Sequence, residues 1–237
     1  MNFGLNRRTI FLVGAFETIV LSVTTFFLVA NWYPDHFFYL FGVFEKLIAF
    51  LAMLALLSPV LSTIFYKSND ESYVNDLSVI FALKIIVLAF GIYFAYSHRP
   101  VLLVFSVDRF VVVQAHQINI SDVPPGILKL IHSSYSPPVI AAKRVSEQNV
   151  RLLLEIMSGG VDIEYRPAQY EKFKFQRDEI FESVCSSVGT DSRGAPDGEL
   201  QPGPVELPLV YDSNKFAVAI FDCKNAVLQK IVFKDPW

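Results

Sequence analysis

Two ionisable side chains stand inside long apolar stretches of this chain. Glu17 lies in the stretch from Thr9 to roughly Asn31, and Lys84 in the one from Leu77 to Tyr96. An ionisable group inside a membrane-crossing segment costs roughly 2.5–3.5 kcal/mol on insertion scales and by default marks a functional site. Glu17 follows Thr9 by eight residues, and Lys84 follows Leu77 by seven. At about 1.5 Å per residue, both sit roughly 10–12 Å in from the start of their segments. Two parallel helices would hold them at one depth, where they can pair. Such a pair neutralises two charges and holds the helices together.

Asp108-Arg109 is the most conspicuous polar pair elsewhere, set between two β-rich runs. It reads as a register-fixing ion pair or a turn, with recognition of a partner as the other role. His36, His98, His116 and His132 lie in different segments, and Cys185 and Cys223 are far apart. That spacing does not make a structural zinc site. An oxidising compartment permits a Cys185–Cys223 bridge without requiring one. Asn119-Ile120-Ser121 fits a glycosylation sequon, a short pattern that occurs often by chance. The chain has no G-x-S-x-G, no H-E-x-x-H, no phosphate-binding loop and no dinucleotide fingerprint. No catalytic residues and no cofactor are expected.

These groups sit in a chain of 237 residues that is 53% apolar and only 18% charged, with a mean hydropathy of +0.42. A soluble domain carries about 25% charged residues, and disorder needs low hydrophobicity with high net charge. Both classes are excluded. A net charge of −3 leaves no basic excess for a phosphate backbone, so nucleic acid is not a partner. Charge is unevenly spread. Residues 1–97 hold five basic and six acidic groups, leaving 15 and 17 of the totals of 20 and 23 for residues 98–237. The expected organisation is a three-span membrane domain over 1–97 and a polar domain over 98–237.

Thr9–Asn31, Leu47–Tyr66 and Leu77–Tyr96 each supply about the 20 apolar residues a bilayer crossing needs. Phe37 to Phe44 is an aromatic lead-in to the second. Short connections make neighbouring spans antiparallel. The first stretch is too long for a signal-peptide core, is interrupted by Glu17 and lacks a cleavage site, so it reads as an uncleaved anchor. Pro59 kinks the second span; neighbouring helices tolerate this, and a docking point is the alternative. Arg7, Arg8 and Lys67 against a 31–36 loop without Lys or Arg place the N-terminus in the cytoplasm and 98–237 on the far side of the membrane.

The second domain is expected to be α+β, with a mainly antiparallel sheet and two helices. Val101–Phe105 and Phe110–Ala115 read as strands buried on both faces, joined by a turn or continued as one strand. Pro124-Pro125-Gly126 reads as a turn or loop, and Pro137-Pro138 opens an extended stretch. Ser146–Met157 reads as a helix stopped at Ser158-Gly159-Gly160. A second helix is expected after Arg166, with Pro167 in its first turn and a stripe from Tyr170 and Phe173 to Val188. Gly189–Pro204 reads as a flexible loop, and Glu206–Tyr211, Phe216–Phe221 and Val227–Phe233 as strands.

Several stretches in this order carry a resemblance: Trp32-Tyr33-Pro34, then Ser58-Pro59 with Leu61 and Thr63, then Arg99-Pro100-Val101 through Val104-Phe105 to Asp108-Arg109-Phe110. Gly160-Val161-Asp162-Ile163 with Pro167 and Tyr170 follows, and Leu207-Pro208-Leu209 and Asp235-Pro236-Trp237 close it. Over nearly the full length the chain resembles the TfpX/TfpZ family of type IV pilin accessory proteins. It departs from that pattern at Ser58, Cys223 and Lys84. The resemblance implies a non-enzymatic, chaperone-like helper in the bacterial inner membrane. Its partners would be one type IV major pilin, bound through the pilin's membrane helix and its periplasmic domain, and membrane lipid. Glu17, Lys84, Asp108 and Arg109 are the partner-binding candidates. Type IV pilins carry a glutamate near the cytoplasmic end of their own membrane helix, so Lys84 would exchange Glu17 for that residue. A pilin-modifying enzyme and a periplasmic sensor subunit are the other two classes. The first usually needs many more spans, and the second a cytoplasmic output module for which residues 1–8 and 67–76 are too short.

Overall fold

The structure is a computed structural model that describes residues 7–34, 36–64, 73–106, 109–143, 150–173, 204–212, 215–222 and 227–234. The chain divides into two compact units, Met1–Ser97 and His98–Trp237.

The first unit is helical: α1 (Arg7–Trp32), α2 (His36–Leu40), α3 (Val43–Ile64) and α4 (Tyr73–Ser97). Phe11–Trp32 of α1 and Ser78–Ser97 of α4 are long and apolar enough to cross a membrane. α3 starts four residues before the apolar stretch expected from the sequence and runs on through Pro59. α2 is an additional short helix in the aromatic lead-in, where Phe37, Phe38 and Leu40 are buried. Gly42 then turns the chain into α3 at φ +57°, a conformation that suits glycine.

Helices as apolar as these associate by close packing, which favours small residues at the contact. α1 buries such a stripe in Gly14, Thr18, Thr25 and Val29. The buried hydroxyls do not go unpaired, because Thr18 Oγ1 donates to Gly14 O at 2.7 Å and Thr25 Oγ1 to Leu21 O at 2.8 Å. α4 meets α3 at Gly91, where a Cβ would lie 2.6 Å from the tip of the Phe50 ring.

The second unit carries a seven-stranded, mostly antiparallel sheet. Its strands are β1 (Pro100–Ser106), β2 (Arg109–Gln114), β3 (Val139–Ala142), β4 (Tyr170–Lys172), β5 (Pro204–Asp212), β6 (Lys215–Asp222) and β7 (Val227–Val232), in the order β4-β3-β1-β2-β5-β6-β7. The β1–β3 and β2–β5 pairs are parallel and the other four are antiparallel. β1 is buried along its whole length and β2 everywhere but Arg109, as continuous apolar runs at a sheet centre require. On one face Leu102, Val104, Val113 and Ile140 pack with Ile118, Val123 and Ile127. Elsewhere, Phe105, Phe110 and Phe173 bring their rings within 6.5 Å of one another.

One open alternative is decided and two local readings change. The chain reverses after β1, with Ser106 opposite Arg109, so the two apolar runs are a hairpin and not one long strand. Pro125 and Gly126 are not loop. They open α5 (Pro125–Ser133), in which Pro125 occupies the first turn, where its missing N–H costs nothing. The expected helix after Pro167 is not present over 167–172. Pro167–Gln169 is a single 3₁₀ turn, and Tyr170–Lys172 becomes edge strand β4 against β3. The remainder of that expected helix, Cys185 and Cys223 lie outside the described residues, as does the expected loop apart from Pro204, which begins β5. α6 (Val150–Met157) ends where expected: Gly160 N donates to Glu155 O and Gly159 N to Ile156 O, with Gly159 at φ +88°.

The Gly91–Phe50 contact yields a test. Gly91→Ala should lower the stability of the helical unit by about 1–3 kcal/mol, the usual cost of overpacking a tight contact. Phe50→Leu in the same chain should return part of it. Thermal unfolding of the detergent-solubilised protein measures both.

Candidate functional site

The charged pair expected from the sequence forms. Lys84 Nζ donates to Glu17 Oε1 at 3.0 Å. Each residue sits six positions into its apolar segment, counted from Phe11 and Ser78, or about 9 Å along the helix. The far end of the same helix pair carries a second polar tie. Tyr33 OH donates to Ala95 O at 2.9 Å, and the Trp32 and Tyr96 rings meet edge to face at 5.0 Å. Both ties run in the same chain order, so α1 and α4 lie parallel.

The two ties are unequally spaced along the chain: 16 residues separate Glu17 from Tyr33, and 11 separate Lys84 from Ala95. Each tie is made by a long side chain, Lys84 in one and Tyr33 in the other, which takes up the difference.

Glu17 lies at the edge of the buried stripe of α1. Gly14 and Thr18 on one side are buried, while Val13 and Val20, one turn before and after, are exposed. The pair is therefore asymmetric. The Lys84 side chain is 12% exposed and the Glu17 side chain 32%. Lys84 is the inner member, and Glu17 the member that faces outwards.

Of the other two candidates, Asp108 lies outside the described residues. Arg109 opens β2, and its Nη2 lies 3.3 Å from Glu164 Oε1, on a 3₁₀ turn at Ile163–Tyr165. That long-range partner was not apparent from the sequence. Glu164 is buried, and its carbonyl accepts from Tyr170 OH at 2.6 Å. Burial, followed by the neighbouring Tyr165 and Glu164, raises the Tyr170 phenol above its ordinary range. The arrangement ties the β1–β2 hairpin to the segment that leads into β4.

The structure also brings together two histidines that the sequence seemed to scatter. The His98 and His116 rings lie 4.3 Å apart, centre to centre. The hairpin register contains the signal, since Pro100 opposite Gln114 carries residues 98 and 116 into line. Two imidazoles fall short of the three or four protein ligands of a zinc site. Among the described residues, no three His, Cys, Asp or Glu side chains are grouped to hold a metal ion.

Two outcomes follow from these pairs. Lys84→Ala leaves Glu17 uncompensated and should cut the abundance of the membrane-inserted protein, as expected for a loss of about 2.5–3.5 kcal/mol. Glu17→Ala together with Lys84→Ala should restore it, read by immunoblot of membrane fractions made without any partner. In the second unit, Arg109→Ala should cost about 1–3 kcal/mol, because it leaves a buried carboxylate unsatisfied. Glu164→Gln should cost about 1 kcal/mol or less, because the half-exposed Arg109 returns to water. Chemical unfolding of the full chain separates them.

No protein-family model, curated protein or solved structure matches this chain.

Proposed function

We propose that the chain is a non-enzymatic, chaperone-like accessory protein of the bacterial inner membrane that binds a type IV pilin and promotes pilus assembly. The observation that carries the reading is the Glu17–Lys84 pair, set among apolar helices with one member facing outwards. A buried pair made only for cohesion is often no better than apolar residues of the same size, so its presence favours a use beyond cohesion. The pilin's membrane helix would seat against α1 and α4 at this pair. The resemblance in the sequence supplies the partner's identity.

In this reading α3, a helix of 22 residues, is the third span. Three crossings carry His98–Trp237 into the periplasm, where it meets the pilin's exported part. Arg7, Arg8 and Lys67 support that orientation.

Two measurements test the reading. Alkaline phosphatase fused after Trp237 should be active and a cytoplasm-only reporter there inactive. The opposite pattern would remove the periplasmic domain from the account. A photo-crosslinking residue in place of Val13, exposed one turn before Glu17, should capture pilin in cells. Failure to capture it there, with normal protein abundance, would sink pilin docking at this pair.

A further inference from the structure

Resting on the reading that a partner helix docks at the Glu17–Lys84 pair, we infer that Glu17 is the contact member and that the partner presents an uncharged hydrogen-bond donor to it. Lys84 occupies Glu17 Oε1. Among the described residues no other hydrogen bond reaches the Glu17 carboxylate, which leaves Oε2 without a donor. With α1 and α4 crossing a bilayer, as the proposed function has it, water would not stand in for that donor, and the oxygen would lose the full value of its missing bond.

The direction of approach follows from burial. The Lys84 head is the inner group, and the Glu17 side chain is nearly three times as exposed. Val13 and Val20 on either side of Glu17, and Phe81 one turn before Lys84, are exposed apolar residues. They offer a partner helix the packing surface that surrounds the polar contact. An approaching helix meets Glu17 first and reaches Lys84 only by displacing it.

Charge then selects the chemistry. The pair is already neutral as a unit. A cation brought to Glu17, or an anion brought to Lys84, leaves one net charge among apolar side chains and pays for it. A hydroxyl or carboxamide satisfies Oε2 and adds no charge. The partner expected is therefore a membrane helix with Ser, Thr, Asn or Gln at the depth of Glu17, and a glutamate carried by the pilin helix is not the group that meets the pair.

The full-length protein in lipid vesicles, titrated with three labelled polyleucine helices, tests this by energy transfer. The helices carry, at the depth of Glu17, leucine, asparagine or cysteic acid, the last an acid that stays ionised. The asparagine helix should bind about fivefold tighter than the leucine helix, in line with an interhelical hydrogen bond of about 1 kcal/mol. The cysteic acid helix should show no such gain. The gain should vanish in the Glu17→Leu, Lys84→Leu double variant, which keeps the segment neutral. If that variant is not recovered, Val13→Trp, which crowds the approach beside Glu17, should remove the gain of the asparagine helix over the leucine helix. Tighter binding of the cysteic acid helix would make Lys84 the contact member, overturning the inference while leaving docking at the pair intact. Equal binding of all three would overturn the inference and docking at the pair together. An asparagine gain that survives in the variant measured would place the contact elsewhere on the protein and overturn the inference.

Discussion

Two opposite charges placed in apolar helices must find each other, and that requirement shapes the helical unit. Glu17 and Lys84 belong to helices separated by all of α3 in the sequence. Each would be costly alone in lipid, and the cost disappears from neither until α1 and α4 stand side by side and parallel. The tie at the far end, from Tyr33 to Ala95, then fixes their relative slide. Elsewhere in the helical unit small residues are buried: the Gly14–Thr18–Thr25 stripe of α1, and Gly91 of α4 against Phe50 of α3. Apolar side chains alone would let the helices slide and rotate, since lipid satisfies them equally well. The polar ties supply the specificity that apolar contacts cannot.

The same rule operates more mildly in the second unit. Glu164 is buried, but its partner Arg109 is half exposed and keeps contact with water. The pair fastens the end of the β1–β2 hairpin to the segment feeding edge strand β4, close to Tyr170, which also binds Glu164 through the backbone. Continuous apolar strands fill the middle of the sheet and need no such device. The ion pair appears where that apolar core ends.

Legibility from the sequence tracked how local each signal is. The depth of Glu17 and Lys84 came from counting residues along two apolar runs, because helical rise is constant. β5, β6 and β7 announced themselves as apolar runs with short connections between them. α5 was hidden because Pro124-Pro125-Gly126 carries turn chemistry that is equally at home in a helix's first turn. Tyr170–Lys172 reads as helix in the sequence because three residues are too few to show a period, and what makes them a strand is the edge of β3. The Arg109–Glu164 and His98–His116 contacts are products of topology and register. No local pattern announces a partner 55 residues away.

The central claim is that Glu17 and Lys84 are joined within the membrane. Dipolar recoupling by solid-state NMR between ¹⁵Nζ of Lys84 and ¹³Cδ of Glu17, in the full chain in lipid bilayers, measures that contact directly. A strong coupling, matching a nitrogen–oxygen separation of 3.0 Å, is the predicted result. A coupling too weak to detect, with Lys84 turned towards the membrane surface and contacting lipid headgroups, would contradict the account.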